Sequence, residues 1–113
     1  MIRSIELENL ILQWYRDLSA GNTDTTNHLF SAKQSGFLAI GTDPNDWWHD
    51  PEIIKNRYQA ITSSGGFKVT VDHLEAYSEG NIGWVVSRVE YRLPNGTKLP
   101  IRQSFILHQE DGE

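Results

Sequence analysis

Residues 81–109 constrain the fold more than any other part of the chain. "NIGWVVSRVEYRL" and "KLPIRQSFILHQ", both rich in β-branched and aromatic side chains, flank Pro94-Asn95-Gly96. Asn-Gly tolerates the left-handed backbone of a tight turn, and branched or ring-bearing side chains fit a pleated surface. The segment therefore reads as two long antiparallel strands joined at that turn. A third strand precedes them. In "FKVTVDHLEAY" the apolar phase is odd at Phe67, Val69 and Val71 but even at Leu74 and Ala76. Side chains of a strand alternate strictly between faces, so this slip predicts a bulge near Asp72 and His73 and a bent strand.

The N-terminal half carries a different period. Ile2, Ile5, Leu7, Leu10, Ile11, Trp14, Tyr15 and Leu18 recur at three- and four-residue steps, the pattern of a helix with one buried stripe, ending at Gly21. Thr23 or Asp24 then offers an N-cap, with only Leu29 and Phe30 as anchors, which predicts a short spacer helix. "GFLAIGT", bounded by glycines, reads as a strand of about four residues. Asp43-Pro44 and Asp50-Pro51 each set a hydrogen-bond acceptor before a proline whose φ is already helical. Two helices are predicted there. The first is a single turn carrying Trp47 and Trp48; the second runs from Pro51 to about Ser64, with Ile53, Ile54, Tyr58 and Ile61 inward and Ser63, Ser64, Gly65 and Gly66 stopping it. Without repeats, linkers or low-complexity tracts, residues 1–113 are expected to form one α+β domain.

Charge and chemistry exclude several function classes. Fifteen acidic and ten basic side chains give a net charge of −5 with no run of Lys or Arg, which gives no basis for binding nucleic acid or an anionic membrane. The absence of cysteine rules out a disulfide framework and a thiolate nucleophile, and fits a reducing compartment. "MIRSIELENLILQWYRDL" mixes charges throughout and lacks an apolar signal core, so a cytoplasmic location is expected. The histidines at 28, 49, 73 and 108 have no metal-ligand spacing, and neither a phosphate loop nor a nucleophile elbow is present. Neither metal nor cofactor is expected.

Helix, short helix, short strand, helix and long bent antiparallel strands is the order of the cone-shaped α+β fold shared by nuclear transport factor 2 and the SnoaL-like polyketide cyclases. The chain resembles that superfamily over nearly its whole length. "GFLAIGTDPNDWW" before a helix, then "KVTVDHLEAYSEGNIGWVVSRVEYRL" and a strand ending in "SFILHQEDGE", is similar to its SnoaL-like branch. The resemblance implies that the N-terminal helices close over the concave face of the sheet and leave a pocket at the wide end of the cone. It also implies a final strand after the Asp-Gly turn, which this sequence, ending at Glu113, lacks; "GFLAI" would then lose its usual neighbour. Relatives that isomerise ketosteroids use a carboxylate base facing a tyrosine and an acid that hold the oxyanion, and relatives that dehydrate use His with Asp, both to move a proton beside a carbonyl.

Candidate residues follow from these expectations. Asp43, at the expected pocket mouth, is either a base or simply the cap of the helix it precedes; Asp50 reads as a cap. Trp84, Val86, Arg88 and Glu90 share one strand face, and Val85, Ser87, Val89 and Tyr91 the other, and hydrophobicity does not decide which looks inward. With the even face concave, Arg88 and Glu90 form an anion site or a structural ion pair; otherwise they are an exposed charged face. On the last strand Gln103 is the lone polar group among Ile101, Phe105 and Leu107, placed to orient a carbonyl or hydroxyl. Arg102, Ser104, Ile106 and His108 form the opposite face, the expected homodimer surface. His73 and His108 read as solvated strand positions.

Trp14, Tyr15, Trp47, Tyr58 and Trp84, with Gln103, are thus the candidate lining of an aromatic pocket for a small apolar or aromatic molecule, with proton-transfer activity as a further option. The reading from a different class is a non-catalytic association or ligand-sensing module. Because neighbours on a helical turn point about 100° apart, Trp48 is expected in the core against the helix-one stripe and Trp47 at the pocket entrance beside Asp43.

Overall fold

The computed structural model describes residues 1–22, 39–40, 45–63 and 65–109. Strand β1 (Ile2–Arg3) leads into helix α1 (Ile5–Ala20). Strands β2 (Ala39–Ile40) and β3 (Trp47–Trp48) precede helix α2 (Pro51–Ser63). Strands β4 (Lys68–Glu79), β5 (Ile82–Arg92) and β6 (Lys98–His108) complete the order. The main sheet is antiparallel in the order β1-β4-β5-β6, and β2 and β3 form a separate pair. This is the α+β architecture expected from the sequence.

The long strands form as their side chains dictate. Residues 82–92 pair with both neighbours in unbroken alternation, and Leu93, Gly96 and Thr97 close the hairpin, where Thr97 N–H donates to Asn95 Oδ1 at 2.9 Å. The bulge lies where the apolar phase slips. Val71 faces Val89 and His73 faces Arg88, which leaves Asp72 without a partner. Val69 and Val71 before it, and Leu74 and Ala76 after it, consequently point to the same side.

That side is covered by α1. Ser4 starts the helix, its Oγ accepting from Leu7 N–H at 3.2 Å, and Gly21 ends it with φ 79° while Asn22 N–H returns to Asp17 O at 2.9 Å. Ile11, Trp14, Tyr15 and Leu18 are at most 4% exposed and pack on Ala76, Val85, Val89 and Tyr91. Each such side chain stabilises the fold by about 1.5–3 kcal/mol. The helix approaches closely because β5 carries Gly83: a Cβ there would collide with Leu7 and lie 3.1 Å from Tyr77 O.

Three local expectations are corrected. The helix does not begin at Ile2; Ile2–Arg3 is extended, opposite Ser78 and Tyr77, because Ser4 caps the helix behind it. Trp47 and Trp48 are not a helical turn but a strand, paired with Ile40 and Ala39, so these two residues of "GFLAI" have a strand neighbour. Trp48 is half-buried beneath Arg57 of α2, its ring centroid 4.8 Å from the guanidinium carbon, rather than set in the α1 stripe. Within α2, capped by Asp50 Oδ1 accepting from Glu52 N–H at 3.0 Å, Ile54 is buried while adjacent Ile53 is 45% exposed. The expected spacer helix at 23–30, Thr42, Asp43 and the end of the chain from 110 lie outside the described residues.

Candidate functional site

The odd face of β5 looks inward. Gly83, Val85, Ser87, Val89 and Tyr91 are buried, whereas Trp84, Val86 and Arg88 are exposed and Glu90 is half-buried on the outer face. Trp84 as a lining residue is therefore corrected, and Arg88 and Glu90, open in the sequence between an inner site and an exposed charged face, take the outer one. Three valine or larger apolar side chains lie on each phase of this strand, Ile82, Trp84 and Val86 against Val85, Val89 and Tyr91, so only the covering helix decides the matter. No ion pair joins Arg88 to Glu90.

Trp14, Tyr15, Tyr58 and Gln103 are brought together. Trp14 is edge-on to Tyr15, Tyr58 and Phe105 at centroid distances of 5.3, 5.7 and 5.5 Å. Among these rings runs a polar chain. Tyr15 Oη lies 2.7 Å from Ser87 Oγ and donates to Gln103 Oε1 at 2.6 Å; Tyr91 Oη donates to the same oxygen at 2.7 Å. A phenol has one proton, so the Ser87 hydroxyl donates to Tyr15. Gln103 Oε1 is then saturated by two donors, while its Nε2 makes no hydrogen bond to any described residue.

Topology explains why that amide is reachable. Helix α1 packs on β4 and β5, leaving the inner side chains of β6, Ile101, Gln103, Phe105 and Leu107, half-buried. Burial pushes the Tyr15 and Tyr58 hydroxyls up to about 12 and raises Tyr91 as well. All three are neutral donors at neutral pH. No carboxylate or histidine stands on the inner face of β4, β5 or β6 among the described residues. The nearest buried carboxylate, Glu8, is already engaged: it accepts from Arg3 Nε at 2.8 Å and from Ala76 N–H at 3.3 Å, and the Arg3 hydrogen bond holds its pKa down.

The other candidates lie elsewhere. Trp47 is 61% exposed on the β2–β3 pair, its Nε1 donating to His49 Nε2 at 3.3 Å. His73 contacts Glu75 at 3.0 Å on the outer face, and Arg102, Ser104 and His108 share that face on β6. Asp43 lies outside the described residues. Ser87 and Tyr91 were not singled out by sequence, although a hydroxyl in phase with Val85 and Val89 was the available signal. Among the described residues no group of His, Cys, Asp and Glu could hold a metal ion, and no helix is long and apolar enough to cross a membrane.

Comparison with known proteins agrees with this geometry. The model of the SnoaL-like domain family matches residues 7–113, and the chain belongs to that family. Among solved structures, it is similar to a Xanthomonas campestris protein provisionally named a calcium/calmodulin dependent protein kinase II association domain. The TM-score is 0.73 at 18% identity, over 96% of this chain and 78% of that one, a likeness of fold. No curated protein matches. The fold is thus the nuclear transport factor 2-like α+β cone.

Proposed function

From this membership of the SnoaL-like family we propose that the chain binds a small molecule with an apolar or aromatic body and one carbonyl or hydroxyl acceptor, held against the inner face of β6. The observation that carries this reading is Gln103: two tyrosines fix its oxygen, which leaves its amide N–H groups without a partner among the described residues. A half-buried donor amid Ile101, Phe105 and Leu107 suits a ligand that is apolar with one acceptor. Proton transfer is less well supported. The inner sheet face supplies donors that could stabilise a developing oxyanion, and among the described residues it carries no base, which leaves Asp43 as the candidate read from the sequence.

Trp14, embedded in the ring cluster, gives the test. Titration with small aromatic ketones and phenols should change its fluorescence saturably, and Gln103→Leu should weaken that binding by about tenfold, the equivalent of one hydrogen bond. A folded protein that responds to none of them, or a Gln103→Leu variant with unchanged affinity, would count against the site.

A second reading rests on a separate observation. The outer face carries Trp84 at 39%, Val86 at 46% and Ile106 at 83% exposure, with Trp84 directly opposite Ile106 and its ring 6.2 Å from that of Tyr77. An exposed apolar strip on a strand face suits association with a second copy. The solved neighbour is itself named an association domain. Sedimentation at several concentrations should show a dimer that Ile106→Glu dissociates; a strict monomer would remove this reading and leave the inner site untouched.

A further inference from the structure

We infer that the hairpin end of the sheet binds a small dianion of the phosphate monoester type. The strand register sets Lys68 opposite Arg92 and Arg92 opposite Lys98, three cations in one row across β4, β5 and β6. Residues paired in this way have Cβ atoms about 4.5–5.5 Å apart, and like charges so placed repel. Composition does not force the arrangement, since carboxylates outnumber cations fifteen to ten. None of the three forms an ion pair among the described residues. Lys68 Nζ donates to Ser19 O, 2.7 Å away near the C-terminal end of α1, but Arg92 and Lys98 have no comparable partner. The nearest carboxylate on that face, Glu90, sits one row inward between Thr70 and Pro100 and pairs with neither cation.

The row borders a shallow concavity that is open to solvent. The turn after α2 meets the β5–β6 hairpin so closely that a Cβ on Gly65 would lie 3.0 Å from Pro94 Cγ. Between the two turns and the three cations is a cavity of about 380 Å³. Two rows inward, Arg88 faces Arg102, so five of the ten Lys and Arg side chains fall on one sheet face of a chain whose net charge is −5. Glu75, Glu79 and Glu90 share that face farther along, but the end row itself carries only cations, which draws an anion toward it. Arg92 can grip two oxygens of a phosphate with its planar fork while Lys98 supplies the second charge. The volume fits a small phosphorylated molecule. Because Arg92 and Lys98 lie on the face opposite Gln103, this inference and the inner-face reading stand or fall separately.

Amide NMR of the full chain, titrated with inorganic phosphate and with phenyl phosphate at constant ionic strength, tests it. Saturable shifts are expected at residues 65–68 and 92–98. The double variant Arg92→Gln, Lys98→Gln should weaken binding at least about tenfold, and Arg92→Lys less. Both side chains are exposed, so the variants should fold. Phosphatidylcholine vesicles containing phosphatidic acid form a second arm: capture that the double variant loses assigns the phosphate to a lipid headgroup, and no capture assigns it to a soluble molecule. Shifts that chloride reproduces, an unchanged affinity in the double variant, or no response in either arm would overturn the inference. Tighter binding of single-stranded DNA that phosphate cannot displace would overturn it as well.

Discussion

Tyr15 on α1 and Gln103 on β6, 88 positions apart, share a 2.6 Å hydrogen bond that ties the helix to a strand on which it does not principally pack. Tyr15→Phe keeps the ring and removes that tie. It also leaves the Ser87 hydroxyl, 2% exposed, without its partner, so the change should cost about 1–3 kcal/mol in denaturant unfolding. Gln103→Leu strips the acceptor from Tyr15 and Tyr91 together and should cost at least as much. In the double variant the losses should sum to less than the two separately, because both act on one network.

Alkaline stability should follow the buried tyrosines. Burial raises Tyr15 and Tyr58 from the usual 10.0 to about 12, and Tyr91 is raised by the same cause. A raised folded-state pKa stabilises the protein fully below the unfolded value and loses that contribution as pH climbs through the folded one. Denaturant midpoints should hold up to about pH 10 and fall steeply toward 12, with tyrosinate absorbance rising together with unfolding. Absorbance from these residues well before unfolding would show the hydroxyls to be open to solvent.

Gly83→Ala should destabilise by about 1–3 kcal/mol, since the new methyl group collides with Leu7 and presses on Tyr77 O. Combining it with Leu7→Ala should recover part of the loss. A neutral effect of Gly83→Ala in thermal or chemical unfolding would mean that α1 lies farther from β5.

The adjacent tryptophans should behave unequally. Trp48→Ala removes a half-buried ring and its contact with Arg57, which should cost about 1–2 kcal/mol, and Arg57→Ala should reproduce the cation–ring part. Trp47→Ala, at a side chain 61% exposed, should stay within about 0.5 kcal/mol of wild type. The reverse order in chemical denaturation would place Trp47 in the interior.

The sheet was legible in the sequence because its signals are local: Asn95-Gly96 names its own turn, and the phase slip at Asp72 follows from strict alternation. The boundary at Ser4 was missed because the apolar spacing of Ile2 and Ile5 continues the helical stripe, although both residues are exposed, at 73% and 60%. Trp47-Trp48 was read as helix from the Asp43-Pro44 signature, whereas pairing with Ala39 and Ile40 makes it a strand, a long-range outcome that no cap motif encodes. Gln103 was found from its apolar neighbours on β6. Its two phenol partners could not be, since they depend on where α1 crosses the sheet. Trp84, Arg88 and Glu90 were left undecided for the same reason: each face of β5 is apolar enough to be either side.

The unpaired Asp72 makes β4 a strand of two parities, with odd positions facing inward before it and even positions after it. Deleting that single residue would bring the two halves into one continuous alternation. Val71 and His73 already face Val89 and Arg88, consecutive residues of β5, so both halves would keep their partners with Val69, Val71, Leu74 and Ala76 still inward, and only the bulge and the bend it gives the strand would be lost. The extra residue thus serves the curvature of the sheet and not the sorting of its faces: the alternation would survive its loss, but the local bend of β4 would not.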